Sequence, residues 1–217
     1  MIGVIDYKAG NIKSVRHALD SLKIAYIVAE KPQELQQADR IMFPGVGNAA
    51  YAMANVRKTG FDSFIKDKAA QGVPLLGICL GSQILFDYSE EDDTDCLGLL
   101  RGTIKHFTNI PSFKTAMQKT AADKADLKIP HMGWNDITYT EQNCPLFEGI
   151  PEETDMYFVH SYVIQPQDVS AVCAYSAYGI QVPAAIHVKN IYACQFHPEK
   201  SGIRGLRILR NFAELKV

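Results

Sequence analysis

The chain has 217 residues, 47% of them hydrophobic, enough for one domain spanning 1–217 with a substantial core. Its formal charge of −2 gives no electrostatic reason to expect nucleic acid or an anionic membrane as a partner. No apolar run approaches the ~18 residues of a membrane span, and the opening Met1-Ile2-Gly3-Val4-Ile5 run is too short and lacks the basic flank of a signal peptide. The cysteines at 79, 96, 144, 173 and 194 are odd in number and include no Cys-x-x-Cys pair, which argues against a disulfide framework and a zinc site. A reducing, cytoplasmic setting is expected, and it would keep a catalytic thiol intact.

In the first half, strand-like and helix-like segments alternate. Ile2–Ile5 is a short apolar run, and Asn11 is placed to cap a helix carrying Ile12, Val15, Leu19 and Leu22 on one side. Residues 24–28 read as a second strand, Pro32 opens a short helix, and residues 41–43 form a third strand before Pro44-Gly45-Val46-Gly47. Helical patterns cover 49–57 and 61–71. The apolar run Val73-Pro74-Leu75-Leu76 then leads into Gly77-Ile78-Cys79-Leu80-Gly81, with residues 84–86 continuing a helix. This alternation predicts a parallel α/β sheet. In the second half, 99–107, 136–140, 156–163, 171–175, 184–188 and 191–196 are strand-like with short turns, so antiparallel or mixed strands are expected beside the parallel core. A helix over 203–215 closes the chain. The irregular stretch 109–128, with Lys114, Lys119, Lys124 and Lys128 against Asp123 and Asp126, is expected as a solvated insertion.

Two motifs carry the chemistry. Gly77-Ile78-Cys79-Leu80-Gly81 has the form of a nucleophile elbow: the glycines allow a turn that β-carbons would block, and the turn lifts the Cys79 sulfur out of the sheet. His197-Pro198-Glu199 closes the last apolar run, and in an extended stretch His197 and Glu199 would share a face. Alone, the cysteine reads as a small buried apolar residue and the His-x-Glu pair as a surface ion pair. Both, however, sit at the carboxyl ends of strand-like runs, where open α/β sheets bind ligands. A thiol, an imidazole and a carboxylate there are the parts of a nucleophilic triad. The glycine loop at 44–47 falls on the same sheet edge and could turn N–H groups toward an oxyanion; an ordinary turn is the plainer reading. The acidic run Glu90-Glu91-Asp92-Asp93-Thr94-Asp95 could recognise an amino group or simply be a solvated loop, and its spacing is not that of an EF-hand. Neither Pro130-His131-Met132-Gly133-Trp134-Asn135 nor Tyr157-Phe158-Val159-His160-Ser161-Tyr162 supports a functional claim by pattern alone.

Taken together, Asp6-Tyr7-x-Ala9-Gly10-Asn11, the 44–47 loop, the elbow with Gln83, the 130–135 and 157–162 segments and Gln195-Phe196-His197-Pro198-Glu199-Lys200-Ser201 resemble the triad (class I) glutamine amidotransferases nearly end to end. Within that class the chain is similar to the glutaminase subunits of imidazole glycerol phosphate synthases. The resemblance implies a flavodoxin-like α/β domain without cofactor. Cys79 would attack the glutamine side-chain amide, His197 would serve as base and acid, and Glu199 would orient it. Leu80 and the Val46–Gly47 part of the loop would supply the oxyanion N–H groups, and Gln83, Glu91, Ser161 and Tyr162 would contact the glutamine. It further implies a heterodimer with a (β/α)8-barrel cyclase subunit that receives the ammonia, contacted near His131, Trp134 and Asn135, and near silence without that partner. Lys8, in place of the family's glycine, and Ser82, in place of its methionine, depart from the pattern. A paralogue feeding a sugar amidotransferase, a binding subunit with a dead site, and a cysteine hydrolase or peptidase on the same fold are the other readings.

Overall fold

A computed structural model describes residues 1–8, 11–122 and 127–216. In chain order the main elements of the first half are β1 (Ile2–Ile5), α1 (Ile12–Ser21), β2 (Tyr26–Ala29), β3 (Arg40–Gly45), α2 (Ala49–Thr59), α3 (Phe61–Ala70), β4 (Leu75–Cys79) and the single turn α4 (Leu80–Gln83). Then come β5 (Tyr88–Ser89), β6 (Thr94–Asp95), β7 (Gly102–His106), α5 (Pro111–Ala122), β8 (His131–Tyr139), β9 (Thr154–His160), β10 (Tyr162–Pro166), β11 (Val172–Ala177), β12 (Gln181–Val188), β13 (Ile191–Cys194) and α6 (Gly202–Glu214). As expected, Asn11 caps α1, its side chain accepting from the Ser14 N–H at 3.5 Å.

Nine strands form one sheet in the order β2-β1-β3-β4-β13-β12-β11-β8-β9. The pairs from β2 to β13 are parallel and those from β13 to β9 antiparallel, which is the mixed sheet the sequence predicts. One face is covered by α1 and α6, which bury Val15, Leu19, Ile208, Leu209 and Phe212 against Ile2, Val4, Leu76 and Ile78. The other is covered by α2 and α3, through Met53, Val56, Phe61 and Ile65. Each such side chain contributes about 1.5–3 kcal/mol by leaving water, so these two layers hold the parallel strand ends in place. A smaller sheet, β10-β7-β5-β6, packs beside them.

Three expectations are corrected. Residues 84–86 do not extend a helix: the carbonyls of Ile84, Leu85 and Phe86 accept from the N–H groups of Leu97, Leu99 and Gly98 at 2.7–3.0 Å, a tertiary competitor for the helical bond. The run 156–163 is two strands, because Ser161 turns the chain from the large sheet into the small one. The stretch 109–128 is not all solvated: α5 occupies its middle, and Phe113 is fully buried against the Phe107 ring at 4.6 Å. Asp123, Lys124 and Asp126 of that stretch, and Ala9 and Gly10 of the first motif, lie outside the described residues. Among the described residues no helix is long and apolar enough to cross a membrane.

Candidate active site

Strand register assembles the site. Parallel β3 and β4 align Gly45 with Cys79, and parallel β4 and β13 align Ile78 with Cys194. The chain therefore leaves three neighbouring strands at one edge, presenting Val46–Gly47, Cys79–Leu80 and residues 195–197 side by side. Cys79 is the strained residue of the elbow, at φ 53° and ψ −113°, which is rare for a residue with a β-carbon. Its glycine neighbours serve close approach instead: a β-carbon on Gly77 would come within 2.8 Å of the Gly81 carbonyl oxygen, and one on Gly81 within 1.9 Å of the Phe43 carbonyl oxygen. Ser82, the departure from the family pattern, is fully buried and donates to the Cys79 carbonyl at 2.6 Å, tying the elbow to the next turn. Lys8, the other departure, stands at φ 66° with its ammonium paired to Glu30.

His197 and Glu199 meet, though not as an extended pair. Pro198–Lys200 is a 3-10 turn, and Glu199 Oε1 lies 2.8 Å from His197 Nδ1, both side chains being 1% exposed. The turn is pinned to β9: the His197 N–H donates to the Tyr157 carbonyl at 2.9 Å, and the Ser201 hydroxyl donates to the His197 carbonyl at 2.6 Å. His197 Nε2 has no hydrogen-bond partner among the described residues and faces the cleft that Cys79 also lines. Burial alone would lower the imidazole pKa; negative charge on the Cys79 sulfur and on the Glu199 carboxylate, each accepting from the ring, outweighs burial and raises it to about 9. A raised pKa stabilises the fold below the unfolded value of 6.5 and loses that contribution as pH climbs through 9. Urea unfolding should therefore show the protein losing stability between pH 6.5 and 9.5 that His197→Gln does not lose. Equal pH slopes for the two proteins would contradict this.

The cleft measures about 300 Å³ and brings together Val46, Gly47, Cys79, Leu80, Gln83, Glu91, Ser161, Tyr162 and His197, every cleft residue singled out in the sequence except Glu199. Glu199 stands behind His197. The acidic run is not simply solvated, because Glu91 turns inward and accepts from the Ala49 N–H at the start of α2 at 2.7 Å. Half-burial raises its carboxyl pKa, and that hydrogen bond partly offsets the rise. Gln83 donates to the Gln195 side-chain oxygen at 2.8 Å and to the Tyr162 carbonyl at 3.2 Å. Cys79 Sγ lies 3.8 Å from the Val159 carbonyl, to which it donates, and 3.9 Å from Gln195 Nε2, from which it accepts. Gln195 and His160 stand in the motifs quoted from the sequence but were given no role at the site; an amide just after an apolar strand-like run was the signal for the first.

The 131–135 segment divides by strand alternation. His131 is fully buried and offers no surface, against its expected place at a partner contact, whereas Trp134 is 54% and Met132 60% exposed on the outward face. Asn135 is partly buried and donates to the Ala177 carbonyl at 3.0 Å. No group of three or more His, Cys, Asp and Glu side chains among the described residues could hold a metal ion.

The family model for class-I glutamine amidotransferases matches residues 3–215. A relative from Halalkalibacterium halodurans described as imidazole glycerol phosphate synthase subunit HisH is 45% identical over 99% of this chain and 96% of its own length. Another of the same description, from Dehalococcoides mccartyi, is 40% identical over 99% of this chain and 97% of its own length. A solved glutamine amidotransferase shares the fold with TM-score 0.72 at 19% identity, covering 98% of this chain and 97% of that one.

Proposed function

This chain belongs to the class-I glutamine amidotransferases, among the HisH subunits of imidazole glycerol phosphate synthase, and from that premise we propose that Cys79, His197 and Glu199 hydrolyse glutamine to glutamate and ammonia. His197, positively charged at neutral pH, is the counter-ion a Cys79 thiolate needs. The sulfur attacks the side-chain carbonyl carbon of glutamine. The oxyanion that forms is met by the N–H of Leu80 and by one from Val46 or Gly47. His197 gives its proton to the leaving nitrogen, so ammonia departs and a glutamyl thioester remains. His197 then takes a proton from water as it attacks, and the thioester collapses to glutamate and the thiol. Glu199 holds Nδ1–H and so keeps Nε2 toward the sulfur. Glu91 receives the substrate ammonium, and Gln83, Ser161 and Tyr162 hold its α-carboxylate end and backbone.

The observation that carries this reading is the 2.8 Å contact of His197 with Glu199 beside a cysteine held at φ 53° on the adjacent strand end. Ammonia passes to a (β/α)8-barrel cyclase subunit in a heterodimer, where it completes imidazole glycerol phosphate and the accompanying aminoimidazole carboxamide ribotide. The outward face of β8, with Trp134 beside Met132, is the surface proposed to meet it, and Asn135 lies on the opposite face. The HisH relatives favour this acceptor over a sugar amidotransferase.

The test is glutamate release from glutamine by the chain alone and with the cyclase subunit and its ribonucleotide ligand. A rise of roughly 100-fold in the mixture is expected, near the top of ordinary coupling between sites. No rise would turn the assignment toward another ammonia acceptor.

A further inference from the structure

Two histidines, one of them (His160) on the wall of the cleft, are left unused by the proposed chemistry. β8 and β9 pair with His131 opposite His160, and both rings are buried, at 0% and 6% exposure. His131 Nδ1 and His160 Nε2 are 3.0 Å apart, and His160 Nδ1 is 2.7 Å from the Tyr162 carbonyl oxygen. These contacts determine where the protons sit. A carbonyl oxygen only accepts, so His160 carries its proton on Nδ1 and presents a lone pair at Nε2. His131 must then donate from Nδ1, which leaves its own Nε2 bare. That atom makes no hydrogen bond of ordinary geometry among the described residues; the Asn135 nitrogen is engaged with the Ala177 carbonyl, and the Asn135 side chain works against burial in favouring the charged His131 ring.

Both rings are neutral. Burial lowers the His131 pKa to about 4, and burial followed by the neighbouring His131 lowers that of His160 to about 3. Nor can His131 easily turn over, because Phe158 stacks on one side at 4.7 Å and Tyr178 on the other at 4.0 Å. A buried nitrogen left without a partner is destabilising, so the ring position needs a compensating role.

We infer that His131 is a positioning residue: its Nδ1–H selects the tautomer of His160 that donates to the Tyr162 carbonyl, and so fixes the Ser161–Tyr162 rim of the cleft. The same carbonyl accepts from Gln83 at 3.2 Å, so the dyad and the Gln83 amide clamp one oxygen from two sides. Were His160 to carry its proton on Nε2 instead, two lone pairs would face each other at 2.7 Å and the rim would move away. The function assigned to that rim rests on the glutaminase reading; the tautomer chain does not.

Two readouts test the inference. Long-range proton–nitrogen NMR of the histidine rings in the unmodified chain should find both His131 and His160 protonated on Nδ1. Protonation of His160 on Nε2 would overturn the inference whatever the activity. In complex with the cyclase subunit, His131→Phe keeps the stacked ring but loses the donor. It should raise the KM for glutamine about tenfold, near 1.4 kcal/mol, while kcat changes by less than about twofold. His131→Asn, whose amide nitrogen falls near the lost Nδ1, should return KM toward the original value and restore the Nδ1–H signal of His160. An unchanged KM in His131→Phe, or equal damage in both variants with the His160 tautomer intact, would reduce His131 to packing. If the unmodified complex releases no glutamate, the glutaminase reading fails, and the ring spectra of the protein and its Asn variant still decide the tautomer chain.

Discussion

Replacing Cys79 with alanine should lower glutamine-dependent synthesis in the complex by at least ~10³-fold, as expected when a nucleophile acting as one unit with its base is removed. Synthesis from added ammonia should continue at close to its original rate. The two outcomes separate because the proposed chemistry is divided: in that proposal the sulfur makes ammonia here, and the cyclase subunit uses it. Alanine fits the elbow sterically, since it removes only the sulfur, and the Ser82 hydroxyl still has the residue 79 carbonyl to bond. The fold and the partner surface on β8, on the far side of β13, β12 and β11, should be unaffected. Loss of both activities would mean that Cys79 serves assembly, and retention of glutamine-dependent synthesis would remove it from the mechanism.

Gly81→Ala is expected to be among the most damaging one-methyl changes in the molecule. Helix propensity points the other way, favouring alanine over glycine by about 1 kcal/mol, and the residue does not need a left-handed backbone. The opposing effect is a β-carbon placed 1.9 Å from the Phe43 carbonyl oxygen and 2.9 Å from its carbon. No rotamer can relieve a clash with backbone, so β3 and α4 must part by more than an ångström. That separation destabilises by roughly 3 kcal/mol or more and misaligns Val46–Gly47 with Leu80. Urea denaturation and glutamine turnover should fall together. Gly72→Ala is the control: Gly72 stands at φ 80° with nothing within 4 Å of an added β-carbon, so the cost should be only the ~1 kcal/mol of a left-handed alanine. Wild-type stability in Gly81→Ala would show that the elbow does not require that approach.

The site was legible where chemistry and local pattern coincide. A cysteine between glycines after an apolar run, and His-x-Glu after another, point to the groups proposed to react, because few other purposes require those residues together. Glu91 was distinguishable from the rest of its acidic run only by resemblance, since nothing in six consecutive polar residues says which one turns inward. His131 was misplaced at a surface for a related reason: alternation identifies two faces of β8, but it does not say which face is covered. Ile84, Leu85 and Phe86 carry a helical pattern, yet their carbonyls bond to residues 97–99, a competitor invisible in a local window.

The α/β class and the mixed second half were readable in the sequence, as were the three residue types proposed as nucleophile, base and orienter, because periodicity and side-chain chemistry are local properties of the chain. Folding in three dimensions settled which strand ends meet, that Cys79 and not its glycine neighbours bears the positive-φ strain, that His197 and Glu199 join across a 3-10 turn, and which groups face the two nitrogens of His160. Most of these depend on partners far apart in the chain, such as His131 and His160 or Gly81 and Phe43, and even the local His197–Glu199 turn is held by Tyr157 of β9; contacts of that kind are set by packing the whole sheet.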